Sequence, residues 1–252
     1  MKGNQNGRRS TAKEIAFCAV MTALLIGGQA AFFPISGIEI VTVLLLTFSW
    51  SFGPRAGAMV ATAFSLLRCL IWGFHPPVIA LYLLYYPAFA LLFGMLGKNA
   101  SRRSAVAVFV TTNILIIFIA VVCVLCAATD FLKLSILDIQ SIRILLWVCF
   151  ACCCGLLLLL NGSRILSCLR MRSESLTRTI SVTAIAALCT ICFTLLDDVI
   201  TPIYYGLEWG GSTFMTYFYA SFLALVPQTL CTIVTVGALF LPLTKAFATI
   251  RS

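Results

Sequence analysis

At 252 residues the chain has the length of one or two soluble domains, but hydrophobic residues make up 62% of it and charged residues 10%, against roughly 45–50% and 25% in soluble domains. That composition excludes a soluble globular protein and describes an integral membrane protein. The formal net charge of +9 would point a soluble chain towards nucleic acid, but here the positive residues gather in the gaps between apolar runs, so they act as topology signals and no nucleic-acid partner is expected.

A helix crosses the bilayer with roughly 20 apolar residues, in a range of about 17–25. The sequence predicts an all-α polytopic bundle of about eight spans, at 14–33, 39–53, 56–73, 78–97, 104–127, 141–160, 179–200 and 214–242, forming one membrane domain over residues 1–252. Residues 1–13 are a basic cytoplasmic N-terminus. The apolar run that follows is not expected to be a cleaved signal peptide, because no polar mature domain comes after it. The first span places Ala12, Ala16, Ala19, Ala23 and Gly27 at spacings of three and four, a stripe of small residues along one face. Such a stripe lets helix backbones approach closely in lipid, either within the chain or with a partner. Phe33-Pro34-Ile35-Ser36-Gly37 closes that span, and Gly53-Pro54-Arg55 turns the chain between the short second span and the third.

The third span carries Arg68 in an otherwise apolar run, followed by Trp72, the single His75, and Pro76-Pro77, which are expected to end the run in a turn. The fourth holds Tyr82, Tyr85 and Tyr86, the fifth Asn113, the seventh Asp197 and Asp198, and the eighth Gln228. Thr201-Pro202 is expected to open the last loop, which is rich in aromatics and glycine. Eleven of the twelve cysteines fall inside apolar runs, and Cys168 lies in a basic loop. No structural disulfide or metal site is expected from them.

Cytoplasmic loops carry an excess of Lys and Arg. With the N-terminus inside, fourteen Lys and Arg fall on the inner side and only Lys133 and Arg143 on the outer, which places both termini in the cytoplasm. Counting 1.5 Å per residue from Arg55 puts Arg68 on the order of 20 Å up a core about 30 Å thick, level with Glu39 and with Asp197 and Asp198. A charged side chain in a span needs a partner or a cavity. Two readings of Arg68 follow: a structural ion pair with Glu39 or Asp197, or a ligand site in which its planar fork of donors holds a carboxylate or phosphate. In the second, Glu39, Arg68, Trp72, His75, Tyr82, Tyr85, Asp197, Asp198 and Gln228 line an outward-facing pocket. His75 also fits a plain loop residue, and Gln228 and Asn113 fit bonds between helices.

The sequence has no G-x-x-x-x-G-K-[ST] loop, G-x-S-x-G elbow or H-E-x-x-H pair. No enzyme and no cofactor is expected, and any transport must be driven by an ion gradient or by partner subunits.

The stretch from Ala12 to Lys98 resembles the substrate-binding membrane subunit, or S component, of energy-coupling factor (ECF) transporters, the vitamin importers of bacteria and archaea. The similarity lies in the Ala-x-x-x-Ala spacings Ala12/Ala16 and Ala19/Ala23, in Pro34-Ile35-Ser36-Gly37-Ile38-Glu39, in Phe52-Gly53-Pro54-Arg55-Ala56-Gly57, and in the run from Gly73 through Tyr85-Tyr86-Pro87 to Gly97-Lys98. The segment from Leu195 through Thr201-Pro202 to Pro242 is similar to the closing helix pair of such subunits. The resemblance implies a multi-pass subunit of a prokaryotic plasma membrane that captures a vitamin-like small molecule outside. Delivery would pass through a coupling membrane subunit that carries two ATPases, with Ala12, Ala16, Ala19 and Ala23 as the docking face. S components have six spans, so the region 104–160 would be an extra helix pair. The alternative reading is a gradient-driven secondary transporter or a small membrane enzyme.

Overall fold

The computed structural model describes residues 3–34, 38, 40–98, 102–128, 139–168, 174–207 and 211–251. Among them all regular structure is helical: α1 (Gly3–Phe32), α2 (Val41–Phe52), α3 (Pro54–Trp72), α4 (Pro76–Lys98), α5 (Arg102–Ala128), α6 (Ile139–Cys168), α7 (Glu174–Tyr204) and α8 (Ser212–Arg251). An apolar chain in lipid must satisfy its backbone groups within each segment, and helices do so. Five helices contain stretches long and apolar enough to cross a membrane: Ala12–Phe32, Pro54–Trp72, Pro76–Lys98, Ser175–Tyr204 and Leu225–Ile250. Among the described residues the apolar segments within α2, α5 and α6 are shorter, and α2, with 12 residues, reaches only about 18 Å. Glu39, Asp130, Lys133, Asp138, Arg170, Arg172 and Glu208 lie outside the described residues.

Two boundaries differ from expectation. Pro76 and Pro77 do not end α3; that helix stops at Trp72, where Gly73 adopts φ +105°, and the prolines open α4. The first turn of a helix has no use for the N–H that proline lacks. Likewise Pro202 does not open a loop. α7 continues through it to Tyr204 and closes on Gly206 at φ +73°, with Leu207 N–H bonded to Pro202 O at 3.1 Å and Gly206 N–H to Ile203 O at 3.0 Å. This is the bond pair of a Schellman cap, whose left-handed residue is best supplied by glycine.

The chain forms two compact units, residues 1–100 with 238–252, and residues 101–237. In the first, α1 packs on α3, and α3 and α2 pack on α4. The elbow at Gly53-Pro54 is its tightest point. Gly53 at φ +95° caps α2 by donating to Ser49 O at 2.8 Å and passes directly into α3. A Cβ on Gly94 of α4 would stand 2.5 Å from Pro54 N and Cα, and one on Gly97 would strike the Trp50 carbonyl. Rings fill the same end: Phe48 stacks on Phe52, and both meet Phe247, while Phe240 packs edge-on to Trp50.

In the second unit α5, α6 and α7 pack together around Ile116, Ala120, Cys153, Leu156, Leu160, Ala184, Ala187 and Leu188. The pair α5 and α6, expected as an addition, therefore shares its core with α7. The ten cysteines whose side chains are described are free thiols.

Because α4 meets the elbow backbone to backbone, Gly94→Leu is expected to overpack it and cost about 1–3 kcal/mol, read as a lower unfolding midpoint in detergent. Gly27→Ala, whose added Cβ meets nothing within 4 Å, is expected to leave that midpoint in place.

Candidate functional site

On α3 the buried side chains Val60, Ala61, Phe64, Ser65 and Cys69 recur at helical spacing, while Leu66, Leu67, Leu70 and Ile71 are exposed. Arg68 lies at the edge of the inner face and is half-buried. Its guanidinium carbon sits 4.0 Å from the centroid of the Tyr82 ring on α4. That is well within the range of about 6 Å in which a ring quadrupole attracts a cation. Tyr82 is buried, tilted against Tyr86 at 4.9 Å, and Tyr86 meets Phe64 edge-on at 5.2 Å. Tyr85, half-buried, contacts Tyr86 and Phe89.

The ring is held at this height by Ser65, one turn below Arg68. Its hydroxyl is shared between Ala61 O at 2.8 Å, in its own helix, and Tyr82 O at 3.0 Å, across to α4. The bond falls beside the turn that Pro87 interrupts, since proline removes the donor that would serve the Leu83 carbonyl four residues earlier.

A cation over a ring is still an uncompensated charge. Nε of Arg68 is buried without a hydrogen-bond partner, and no described carboxylate of the first unit pairs with it. Glu39 lies outside the described residues, so the ion pair read from the sequence is not drawn there. Trp72 is half-buried at the end of α3, its ring 5.9 Å from that of Phe33, in the turn just past α1. His75 is exposed, and its main chain starts α4, its carbonyl accepting from Ile79 N–H at 2.9 Å.

The remaining candidates belong to the second unit. Asp198 is 4% exposed whereas Asp197 is half-buried and accepts from Thr201 Oγ1 at 2.8 Å. Neighbours on a helix diverge by about 100°, so one carboxylate turns inward and the other takes a bond in its own helix. Gln228 of α8 accepts from Thr194 of α7 at 2.9 Å, and one turn away Thr190 and Thr232 share a bond of 3.0 Å. Asn161 donates to Asn113 at 2.8 Å across α5 and α6. Gln228 and Asn113 are thus interhelical links, and Gln228 is engaged by its own bundle.

The sequence reading missed Gln29. Its Oε1 is buried without a hydrogen-bond partner, and its position repeats that of the inner face of α1, Cys18, Met21, Thr22 and Leu25. The stripe Ala12, Ala16, Ala19 and Ala23 is exposed on the other side. A polar residue on the face opposite the alanines was the available signal.

Compared with protein-family models, curated proteins and solved structures, the chain matches none.

If the Thr194–Gln228 bond links α7 and α8 as drawn, a double-mutant cycle with Thr194→Val and Gln228→Leu is expected to give a coupling of about 0.6–2 kcal/mol in the unfolding free energy.

Proposed function

We propose that this chain is the substrate-capture subunit of an ECF-type importer in a prokaryotic plasma membrane. It binds a small vitamin-like molecule from outside and passes it through a separate coupling subunit driven by two ATPases. The observation that carries the reading is the two-faced first helix. Ala12, Ala16, Ala19 and Ala23 are exposed, with Gly27 open beside them, while Cys18, Met21, Thr22 and Leu25 are buried against the chain's own helices. Small residues on an exposed helix face permit close approach of a partner helix, which is what drives association in lipid. Arg68 supplies the second support: a permanent cation in the outer part of the third helix, seated on an aromatic ring with an unspent buried donor, suits capture of an anionic group.

Ala16→Trp and Ala23→Trp are expected to abolish uptake by cells that hold the ATPases while leaving ligand retention by the purified subunit intact; normal uptake by both variants removes the docking role. Arg68→Ala is expected to weaken binding by more than about tenfold, as truncation of a buried charge at a ligand does. Unchanged affinity with a lower melting temperature would make Arg68 structural. Accumulation by proteoliposomes under an ion gradient alone would instead identify a secondary transporter.

A further inference from the structure

Helices α1 and α3 run side by side with an offset of 38 to 39 residues. Cys18 Sγ meets the Ala56 carbonyl at 4.0 Å, an offset of 38, and Phe33 meets Trp72 at 5.9 Å, an offset of 39. Gln29 lies one turn before Phe33, and Arg68 lies one turn before Trp72. The two residues therefore stand at the same level of a parallel pair, each on the face its helix turns inward. Each also holds a buried polar atom without a hydrogen-bond partner, the acceptor Oε1 of Gln29 and the donor Nε–H of Arg68. Donor and acceptor are complementary, yet neither is spent on the other. Leaving both unmade is unfavourable, because each atom has been taken from water without a replacement bond.

From this we infer that Gln29 is a specificity residue and that the ligand is an anion with a hydrogen-bond donor next to its charged group. The inference rests on the capture reading above and adds the ligand's chemical class. A group joining the two side chains has to offer an acceptor to Arg68 and a donor to Gln29. The side edge of a guanidinium, Nε–H with one Nη–H, takes two oxygens of one carboxylate or phosphate. The guanidinium carbon lies over the Tyr82 ring, and the Nε–H, although buried, keeps its hydrogen bond unmade. Gln29 Oε1 then accepts an N–H or O–H carried on the neighbouring atom. A simple anion satisfies only half of the site, and a neutral amide leaves the cation unanswered. The same chemistry occurs in two sources, a soluble organic acid and the phosphate and hydroxyls of an anionic lipid headgroup; the capture reading favours the soluble one.

The test uses the full chain in nanodiscs of phosphatidylcholine and saturation-transfer NMR with three probes. These are pyrrole-2-carboxylate, with acid and adjacent N–H, 1-methylpyrrole-2-carboxylate, without the donor, and pyrrole-2-carboxamide, without the charge. The first is expected to bind, the second more than about fivefold more weakly, and the third not at all, because a site built to bond a donor rejects the analogue that lacks it. Gln29→Leu is expected to erase the preference between the two acids, and Arg68→Gln to weaken both by more than about tenfold. The comparison between probes needs no variant, so it stands even where Gln29→Leu fails to fold. Equal binding of the two acids, binding of neither up to their solubility limit, or a preference that survives in folded Gln29→Leu overturns the inference. Loss of probe binding when phosphatidylglycerol replaces part of the lipid reassigns the site to a headgroup and overturns it too. None of these outcomes affects copurification with a coupling subunit and ATPases, so the two readings can fail separately.

Discussion

A guanidinium cannot shed its proton inside a membrane protein, so a chain that keeps one in an apolar helix must surround it with compensation. Arg68 receives only part of this. The Tyr82 ring lies beneath its central carbon, and the Ser65 hydroxyl reaches across from α3 to the Tyr82 carbonyl on α4. A quadrupole returns about 2 kcal/mol or somewhat more to a desolvated cation, less than the several kcal/mol that burial of a charge costs. The remaining deficit sits at Nε, the atom left without a bond. Several polar side chains elsewhere are settled locally, although Ser49 Oγ and Thr183 Oγ1 are also buried without a hydrogen-bond partner. Thr22, Thr47, Thr62, Thr190, Thr194 and Thr229 all donate back to carbonyls four residues earlier in their own helices. Among the buried atoms without a partner, those of Arg68 and Gln29 are a complementary donor and acceptor on neighbouring helices; on the proposed reading they serve a ligand.

The first unit can hold them in place because its other end is rigid. Gly53, Gly94 and Gly97 let the α2–α3 elbow press its backbone onto α4, and Phe48, Phe52, Phe240 and Phe247 fill the space around it. No side chain larger than hydrogen fits at Gly94 without displacing Pro54. Interiors packed to this density transmit position, so α3 and α4 leave the elbow in a set register and bring Arg68 over Tyr82 further along. The second unit uses different means, an apolar core around Ile116 and Leu160 supplemented by the Asn113–Asn161 and Thr194–Gln228 bonds.

Hydropathy made the helices legible, since apolar runs punctuated by Gly and Pro leave few alternatives in lipid. Their ends were less so. Proline is read as a breaker, yet Pro76 and Pro77 start α4 and Pro202 stays within α7, because the same missing N–H is harmless in a first turn and tolerable in a last one. Arg68 was conspicuous as a cation well inside a span, whereas Arg143 stands near the start of its own, and Tyr82 followed from its helix. Gln29 was less so, because an uncharged amide among Gly27, Gly28 and Ala30 is marked only by lying opposite the alanine stripe, and its meaning waits on the register of a neighbouring helix. Asp197 and Asp198 are adjacent on one helix, so their divergence was legible from spacing alone; which of the two turns inward was not, and it is Asp198.

Helix α1 thus carries two requirements on opposite faces. Its inner face holds Cys18, Leu25 and Gln29 at the levels set by contact with α3, while its outer face presents alanines to whatever lies outside the chain. On the proposed reading, ligand would touch the inner face and the coupling subunit the outer one, so a single rigid rod would be shared by the two binding events. Thermodynamic coupling between two sites is reciprocal. A ligand that settles Gln29 against Arg68 and so fixes the orientation of α1 would therefore favour docking to the same degree that docking favours the ligand.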